Sequence, residues 1–439
     1  KGIELVQRGS ERRPLGRVRP LADEIVGQIQ ETSPVDRVEV AGSIRRWKET
    51  VNDIDILATS RQPEQVMEAF VKLPQVSRVL MHGPTKASIV TNEGVQVDLR
   101  VVEEGSFGAA LQYFTGGKQH NIKLREMAVR AGLKINEYGV FREPGEKRIA
   151  GKTEEEVYKA LALPFIPPEL REDAGEIEAA QEGGLPDLVE IGDIKGDLHI
   201  HTKWSDGSHD LDVIVRAARE RGYKYIAITD HTKGLGVAHG LDEARLAEQV
   251  KAIDAANAKH ADFRILKGTE VDIRSDGTLD LPDEALAGLD IVVASVHSGF
   301  KQSEEQITRR MLAAIRNPCV SVIAHPTGRL IGEREDYALD IEAVLKEAAK
   351  YGVAMEINAY PRRLDLNDSH VRMAKEYGVA LVINTDTHVT TQLDTMIYGV
   401  STARRGWAEK KDILNTLEYG RLIERLKSCT AGKANLQKR

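Results

Sequence analysis

Beyond residue 196 the chain alternates short apolar runs with segments of helical spacing. The runs fall at 197–201, 225–229, 263–268, 290–296, 321–324, 353–358 and 381–385. Helical patterns at 211–221, 241–260, 303–316, 341–351 and 370–377 separate them. Runs too apolar to expose either face, each followed by a helix, predict a parallel sheet covered by helices. Seven such units with polar side chains at their carboxyl ends predict a β/α barrel slightly smaller than the usual eight, with an open doubly wound sheet as its competitor. Earlier in the chain the pattern is mixed. Helical spacing is found at 21–30, 64–71 and 122–131, strand alternation at 35–41 and 53–58, and a strand pair at 87–90 and 95–101. From Pro167-Pro168 to Gly183-Gly184 the sequence turns to Pro, Glu, Asp and Gly, which predicts a linker with one short helix at 173–181.

Length and composition fit this division. A chain of 439 residues is too long for one ordinary core, and 41% hydrophobic with 29% charged residues is a globular balance. No apolar run reaches membrane-spanning length, and two cysteines exclude a disulfide framework or a thiolate zinc cluster. That usage fits a reducing, cytoplasmic setting. The net charge of -7 is uneven: residues 1–170 hold 25 Lys+Arg against 24 Asp+Glu, and the remainder 36 against 44. Carboxylates that hold cations raise the acidic count without making an acidic outer surface.

In the first part, Asp53-Ile54-Asp55 puts two carboxylates on one face of a strand, and Asp98 alternates with Val95, Val97 and Leu99 in another. Three acids gathered at neutral pH repel one another unless cations neutralise them. Two divalent ions on hard oxygen ligands, Mg2+ or Mn2+, suit phosphoryl or nucleotidyl transfer. Gly42-Ser43, followed by Arg45-Arg46, offers backbone amides, a hydroxyl and a guanidinium fork for phosphate oxygens. Each element alone is common; the Gly-Ser pair ten residues ahead of Asp-x-Asp is far more specific.

In the second part nine side chains have metal-ligand character at strand ends: His199, His201, Asp206, His231, Glu270, His297, His325, Asp386 and His388. His199-x-His201 and Asp386-x-His388 each place two on one strand face. Nine ligands exceed the needs of one ion and suffice for two or three, of manganese, zinc or iron type. His209, His239, His260 and His370 lie in loops or helical patterns and are expected to be structural. Asp230 is expected to bind weakly or to orient a neighbour, and Lys233, Arg329 and Arg362 are weak candidates for substrate phosphates.

The stretch 40–57, with Asp98 and the Tyr113-Phe114-Thr115-Gly116 segment, resembles the palm of the family X DNA polymerases in the nucleotidyltransferase superfamily. The resemblance implies that Asp53, Asp55 and Asp98 are catalytic metal ligands and that Gly42, Ser43 and Arg46 hold the nucleotide phosphates. Tyr113, Phe114, Gly116, Lys118 and Asn121 would line the nucleotide site, and Arg125 would touch the DNA template. Lys118 stands where animal members carry an acid. Asp-Leu-His-Ile-His-Thr from Asp197 and the Ser205-Asp206-Gly207 turn resemble the polymerase and histidinol phosphatase (PHP) family, whose members are distorted seven-stranded barrels with a trinuclear site and Glu270 as a bridge.

Together these imply an α/β multidomain chain: a remnant of fingers at 1–20, a palm at 21–128, a thumb at 129–165, a linker at 166–193 and a PHP barrel at 194–439. The family's amino-terminal lyase-like module is expected to be missing. The function implied is short gap filling on gapped or primer-template DNA with deoxynucleoside triphosphates, in base-excision repair. The barrel would act as a 3′→5′ exonuclease with AP endonuclease or 3′-phosphatase activity, and the protein would be a cytoplasmic monomer. The alternative is a small-molecule PHP phosphoesterase joined to a weak nucleotidyltransferase-like DNA-binding module.

Overall fold

The computed structural model describes residues 12–144, 147–260 and 262–436, and the chain divides into two compact units, 1–185 and 186–439. The first opens with helix α1, Leu15–Thr32, whose buried stripe is Leu15, Val18, Leu21, Ala22, Ile25 and Ile29. The expected start at residue 21 is too late. Burial of Leu15 and Val18, at roughly 1.5–3 kcal/mol for each large apolar side chain, carries the helix through Pro20.

A five-stranded sheet follows: β1 Arg37–Val40, β2 Asp53–Thr59, β3 Val76–His82, β4 Lys86–Thr91 and β5 Gln96–Val102, in the order β1-β2-β5-β4-β3. Only β2 and β5 run parallel, and their register sets Asp55 beside Asp98. Along β5 alternate residues are buried and half-buried, so Val97 and Leu99 enter the core while Asp98 stays on the accessible face. Two helices, α2 Phe107–Thr115 and α3 Lys118–Arg130, then lead into an antiparallel three-stranded sheet of Leu133–Asn136, Gly139–Arg142 and Lys147–Ala150, and a helix α4, Glu154–Ala160.

The stretch expected to be a linker from residue 166 is instead folded into the first unit as far as its last helix, α5, Glu176–Glu182. Arg171 and Glu176 are fully buried. Arg171 meets Glu154 at 2.6 Å, and Glu176 meets His120 at 2.6 Å. Its polar composition reflects paired buried charges, not a solvated tether.

The second unit is a seven-stranded parallel sheet in chain order: β6 Gly196–Ile200, β7 Tyr225–Ile228, β8 Arg264–Asp272, β9 Ile291–Ser295, β10 Val322–Ile323, β11 Ala354–Asn358 and β12 Leu381–Asn384. Successive residues of a strand enter two different apolar clusters: Tyr225 and Ala227 one, Ile226 and Ile228 the other. Both faces are therefore buried. The cluster that holds Tyr225 and Ala227 also takes in Leu422 and Leu426 of the final helix, Tyr419–Leu436. The carboxyl ends are left for polar side chains. Between β6 and β12 the barrel is joined by an isolated bridge, Ile200 to Thr387, and by side chains, not by a full ladder. Asn384 Oδ1 accepts from the Leu198 amide at 3.0 Å, and Thr385 Oγ1 donates to Asp197 at 2.5 Å.

Two candidate metal centres

In the first unit, Asp53 and Asp55 project from β2 and Asp98 from β5. Burial, then the neighbouring Asp53 and Asp98, lifts the Asp55 carboxyl to about 7. Asp53 is raised in the same way, by burial and then by Asp98. Asp98 is held by Ser88 and, at 3.1 Å, by Gln96. Among the described residues no ligand set in this unit closes as tightly as those of the barrel. Burial and mutual repulsion outweigh the pull of Arg100 and Arg46 on Asp55, and carboxylates gathered in this way favour cations.

A raised carboxyl pKa contributes stability below its ordinary 3.8 that is lost as pH rises through about 7. Magnesium is therefore expected to raise the unfolding temperature of the cation-free protein more at about pH 8 than at about pH 5. Calorimetry checks this, and equal increments at both pH values would remove these acids as cation ligands.

The turn ahead of β2 approaches the acids closely. Gly42 has φ +64°, and a Cβ on it would lie 2.5 Å from Asp55 Oδ2. Gly42→Ala is expected to displace Asp55 and to strain the backbone by about 1–2 kcal/mol. Loss of primer extension with a modest fall in melting temperature is the expected result; normal extension would show that this pose of Asp55 is not needed.

Ser43 is half-buried in the short helix Gly42–Arg45. Arg45 is tied to Glu154 at 2.6 Å and to Thr115 Oγ1 at 2.8 Å, as part of the fold. Arg46 donates to Glu172 at 2.9 Å and to the Thr115 carbonyl at 2.5 Å. Tyr113 and Phe114 pack edge to face, 5.1 Å between centroids. Asn121 donates to the Tyr113 carbonyl at 2.7 Å and crowds Gly116, where a Cβ would lie 2.4 Å from its Oδ1. Lys118 and Arg125 are exposed on α3.

The second centre lies at the carboxyl rim of the barrel. Three ligand groups have their atoms within 4.8 Å of one another: His201, Asp206, His231 and His388; His199, His201 and Asp386; and His231, Glu270 and His297. His325 joins through Glu270, 3.1 Å from Nε2. Glu270 stands between the groups, with Oε2 2.8 Å from His231 Nδ1 and 3.4 Å from His199 Nε2. Burial opposes its charge, yet His231 and His199 hold its carboxyl well below the usual range.

His199 Nε2, both nitrogens of His201, His231 Nδ1 and Glu270 Oε2 are buried without an aligned hydrogen bond. Buried polar atoms this concentrated have no reason to stay unsatisfied unless a ligand meets them. Divalent cations fit this donor set, and the shared residues suit more than one ion. Two of the nine have left-handed backbone, His325 with φ +28° and Asp386 with φ +56°. Non-glycine residues in that region are strained and cluster at functional sites.

Neighbours absent from the sequence reading aim these ligands. Glu356 accepts from His199 Nδ1 at 2.7 Å, and Asp272 lies 3.4 Å from His297 Nδ1. An acid inside an apolar strand run gives no local sign of this duty. Asp230 is a positioning group: it accepts from the Thr202 and Ser205 amides at 2.8 and 3.1 Å and so shapes the turn that carries Asp206. Arg362 does not serve the site; it pairs with Glu333. Its neighbour Arg363 reaches Asp386, at 3.7 Å. Lys233 pairs with Glu243, and Arg329 donates to the Arg363 and Leu364 carbonyls. None of His209, His239, His260 and His370 enters a ligand group among the described residues.

A sheet bearing three gathered acids, joined in one chain to a barrel rimmed by histidines, defines a two-module protein with one candidate cation site in each module. Comparison with known proteins gives the family. The DNA polymerase beta thumb model matches residues 110–172, a wider span than the expected 129–165, and the PHP domain model matches residues 197–360. The DNA polymerase/3′-5′ exonuclease PolX of Bacillus subtilis (strain 168) is 45% identical over 408 residues, covering 92% of this chain and 71% of that protein. A probable phosphatase of Thermoanaerobacter sp. (strain X514) is 33% identical over 244 residues, covering 52% of this chain and 94% of that protein. Another, from Caldanaerobacter subterraneus, is 34% identical over 207 residues, covering 44% and 76%. The chain belongs to the family X DNA polymerases that carry a PHP domain. No helix among the described residues is long and apolar enough to cross a membrane.

Proposed function

We propose that the first unit extends primer 3′ ends across short gaps in DNA and that the barrel shortens or cleans 3′ ends, both during base-excision repair. The observation that supports this reading is the separation of two clusters, three mutually repelling acids on the sheet of the first unit and the grouped histidines and acids at the rim of the barrel. In the first, Asp53, Asp55 and Asp98 would hold Mg2+ or Mn2+, which neutralise phosphate charge and lower the cost of ionising a primer hydroxyl. Asp98, fixed by Ser88 and Gln96, would help activate that hydroxyl. Ser43 and Arg46 bind the triphosphate, Tyr113 and Phe114 bound the sugar, Asn121 meets the base edge, and Arg125 contacts the template. Lys118 adds positive charge at the nucleotide.

In the barrel the nine residues would hold two or three manganese, zinc or iron ions, which would supply an activated water and polarise a phosphodiester. Glu356 and Asp272 keep His199 and His297 in their ligating orientation, in the manner of carboxylate–histidine pairs at metal sites. Arg363 offers a guanidinium to the phosphate beside Asp386. The same centre can cut an abasic strand or remove a 3′-phosphate, because all three reactions transfer a phosphoryl group to water.

A primer-end assay on one-nucleotide-gapped DNA with manganese tests the reading. Extension with deoxynucleoside triphosphates and shortening without them is the expected result. The length over which the chain matches small phosphatases favours one other reading, a barrel acting on free phosphate esters. Hydrolysis of p-nitrophenyl phosphate with primer ends left untouched would establish it.

A further inference from the structure

The segment that closes the first unit, from Ile166 to Glu182, bears on the nucleotide site in a way no sequence motif announces. Glu172 Oε1 accepts from Arg46 Nε at 2.9 Å, and its Oε2 lies 3.7 Å from Lys48 Nζ. The same guanidinium is tied through NH1 to the carbonyls of Thr115 and Gly116, at 2.5 and 3.3 Å. The bond to Glu172 is made by Nε, the inner nitrogen of the fork, so the guanidinium plane is set from the protein side.

Glu172 is itself held in place. The Arg171 carbonyl accepts from the Gly117 amide at 3.0 Å, and a Cβ on Gly117 would lie 2.5 Å from that oxygen. Arg171 is fully buried; it donates to Glu154 at 2.6 Å and to the Ile166 carbonyl at 2.9 Å. Further along, Glu176 caps its own turn by accepting from the Asp173 and Ala174 amides, at 3.0 and 2.7 Å, and meets His120 of α3 at 2.6 Å. One short stretch of chain therefore grips both the turn that carries Arg46 and the helix that carries Lys118 and Asn121.

We propose that Glu172 is a positioning residue for the incoming nucleotide's triphosphate: it fixes Arg46 in the orientation that meets the phosphate oxygens. The inference rests on the reading of Ser43 and Arg46 as phosphate contacts. An unrestrained arginine loses side-chain entropy on binding, and a guanidinium already pinned loses less. The rival role is a competing anion that the triphosphate must displace from Arg46 and Lys48. The two roles predict opposite changes in nucleotide affinity when the carboxylate is removed.

The test is single-nucleotide insertion by the full chain at saturating magnesium, comparing Glu172→Ala, Glu172→Gln, Arg46→Ala and the Glu172→Ala/Arg46→Ala double variant. Shortening of the same primer serves as an internal control of each preparation. Glu172→Ala is expected to raise KM for the nucleotide about tenfold with kcat within about twofold, the pattern of lost binding rather than lost chemistry. Glu172→Gln keeps an oxygen acceptor for Nε and is expected to recover most of the affinity, and its near-identical shape covers the case in which the alanine variant does not fold. On the Arg46→Ala background, Glu172→Ala is expected to add less than about twofold, because a residue acting through Arg46 has nothing left to position.

An unchanged KM, or full additivity of the two alanine variants, overturns the proposal. A lowered KM assigns Glu172 to competition and overturns it too. Absence of insertion by the unsubstituted chain overturns the polymerase reading itself, a result distinct from any of these.

Discussion

Asp53→Ala is expected to abolish primer extension while leaving primer shortening at its original rate. The carboxylate sits at the start of β2, two residues from Asp55 and on the same strand face, with Asp98 on the adjoining strand. Without it the cation set loses a charged oxygen, and the several kcal/mol that bound metals lend to phosphoryl transfer correspond to about 10³-fold or more in rate. Stability should not fall with activity. The raised pKa of Asp53 marks its charge as unfavourable in the cation-free fold, so alanine relieves repulsion and the melting temperature should hold or rise. Extension of gapped DNA, read beside calorimetry, checks both. An Asp53→Ala protein that still extends would take the polymerase centre away from β2.

His199→Ala is expected to produce the reverse: extension intact and shortening lost by about 10³-fold or more. His199 is fully buried, with Nε2 3.6 Å from Asp386 and Nδ1 bonded to Glu356. Removing the ring deletes one ligand and also leaves Glu356 without its imidazole partner, although that acid still accepts from the His325 amide at 2.7 Å and from Asn384 at 3.0 Å. A stability loss of about 1–3 kcal/mol is expected from the emptied site, confined to the second unit. Metal content measured by mass spectrometry gives a readout independent of activity: it should fall for His199→Ala and hold for Asp53→Ala at the barrel. Persistent shortening with full metal content would sink the assignment.

What the sequence disclosed and what it withheld follow from the range of the interactions. Asp-x-Asp and His-x-His are legible because a strand's period of two fixes which residues share a face, and all seven barrel strands showed as short, largely apolar runs. The three-stranded sheet at 133–150 escaped notice because four-residue strands separated by turns leave too little pattern. The edge strand Val76–His82 escaped for another reason: most of its residues are exposed, so no alternation marks it. Arg171 and Glu176 looked like solvated linker charges because the partners that bury them, Glu154 and His120, are distant in the chain. Arg362 and Arg363 cannot be told apart locally; only the tertiary path of that loop decides which one reaches Asp386.

The junction of β6 with β12 also sets an order of events during synthesis. His199 and His201 are made early in the second unit, yet the partner strand that closes the barrel, with Asp386 and His388, is separated from them by more than 180 residues, as the Leu198–Asn384 bond records. The first unit, by contrast, has all its strands and its closing segment by Glu182. At ordinary translation rates the interval amounts to roughly 10–40 s. During it a ribosome-bound chain carries Asp53, Asp55 and Asp98 on a finished sheet and only part of the barrel's histidine-rich rim. The histidine-rich rim is thus assembled last, by the same pairing that completes the barrel.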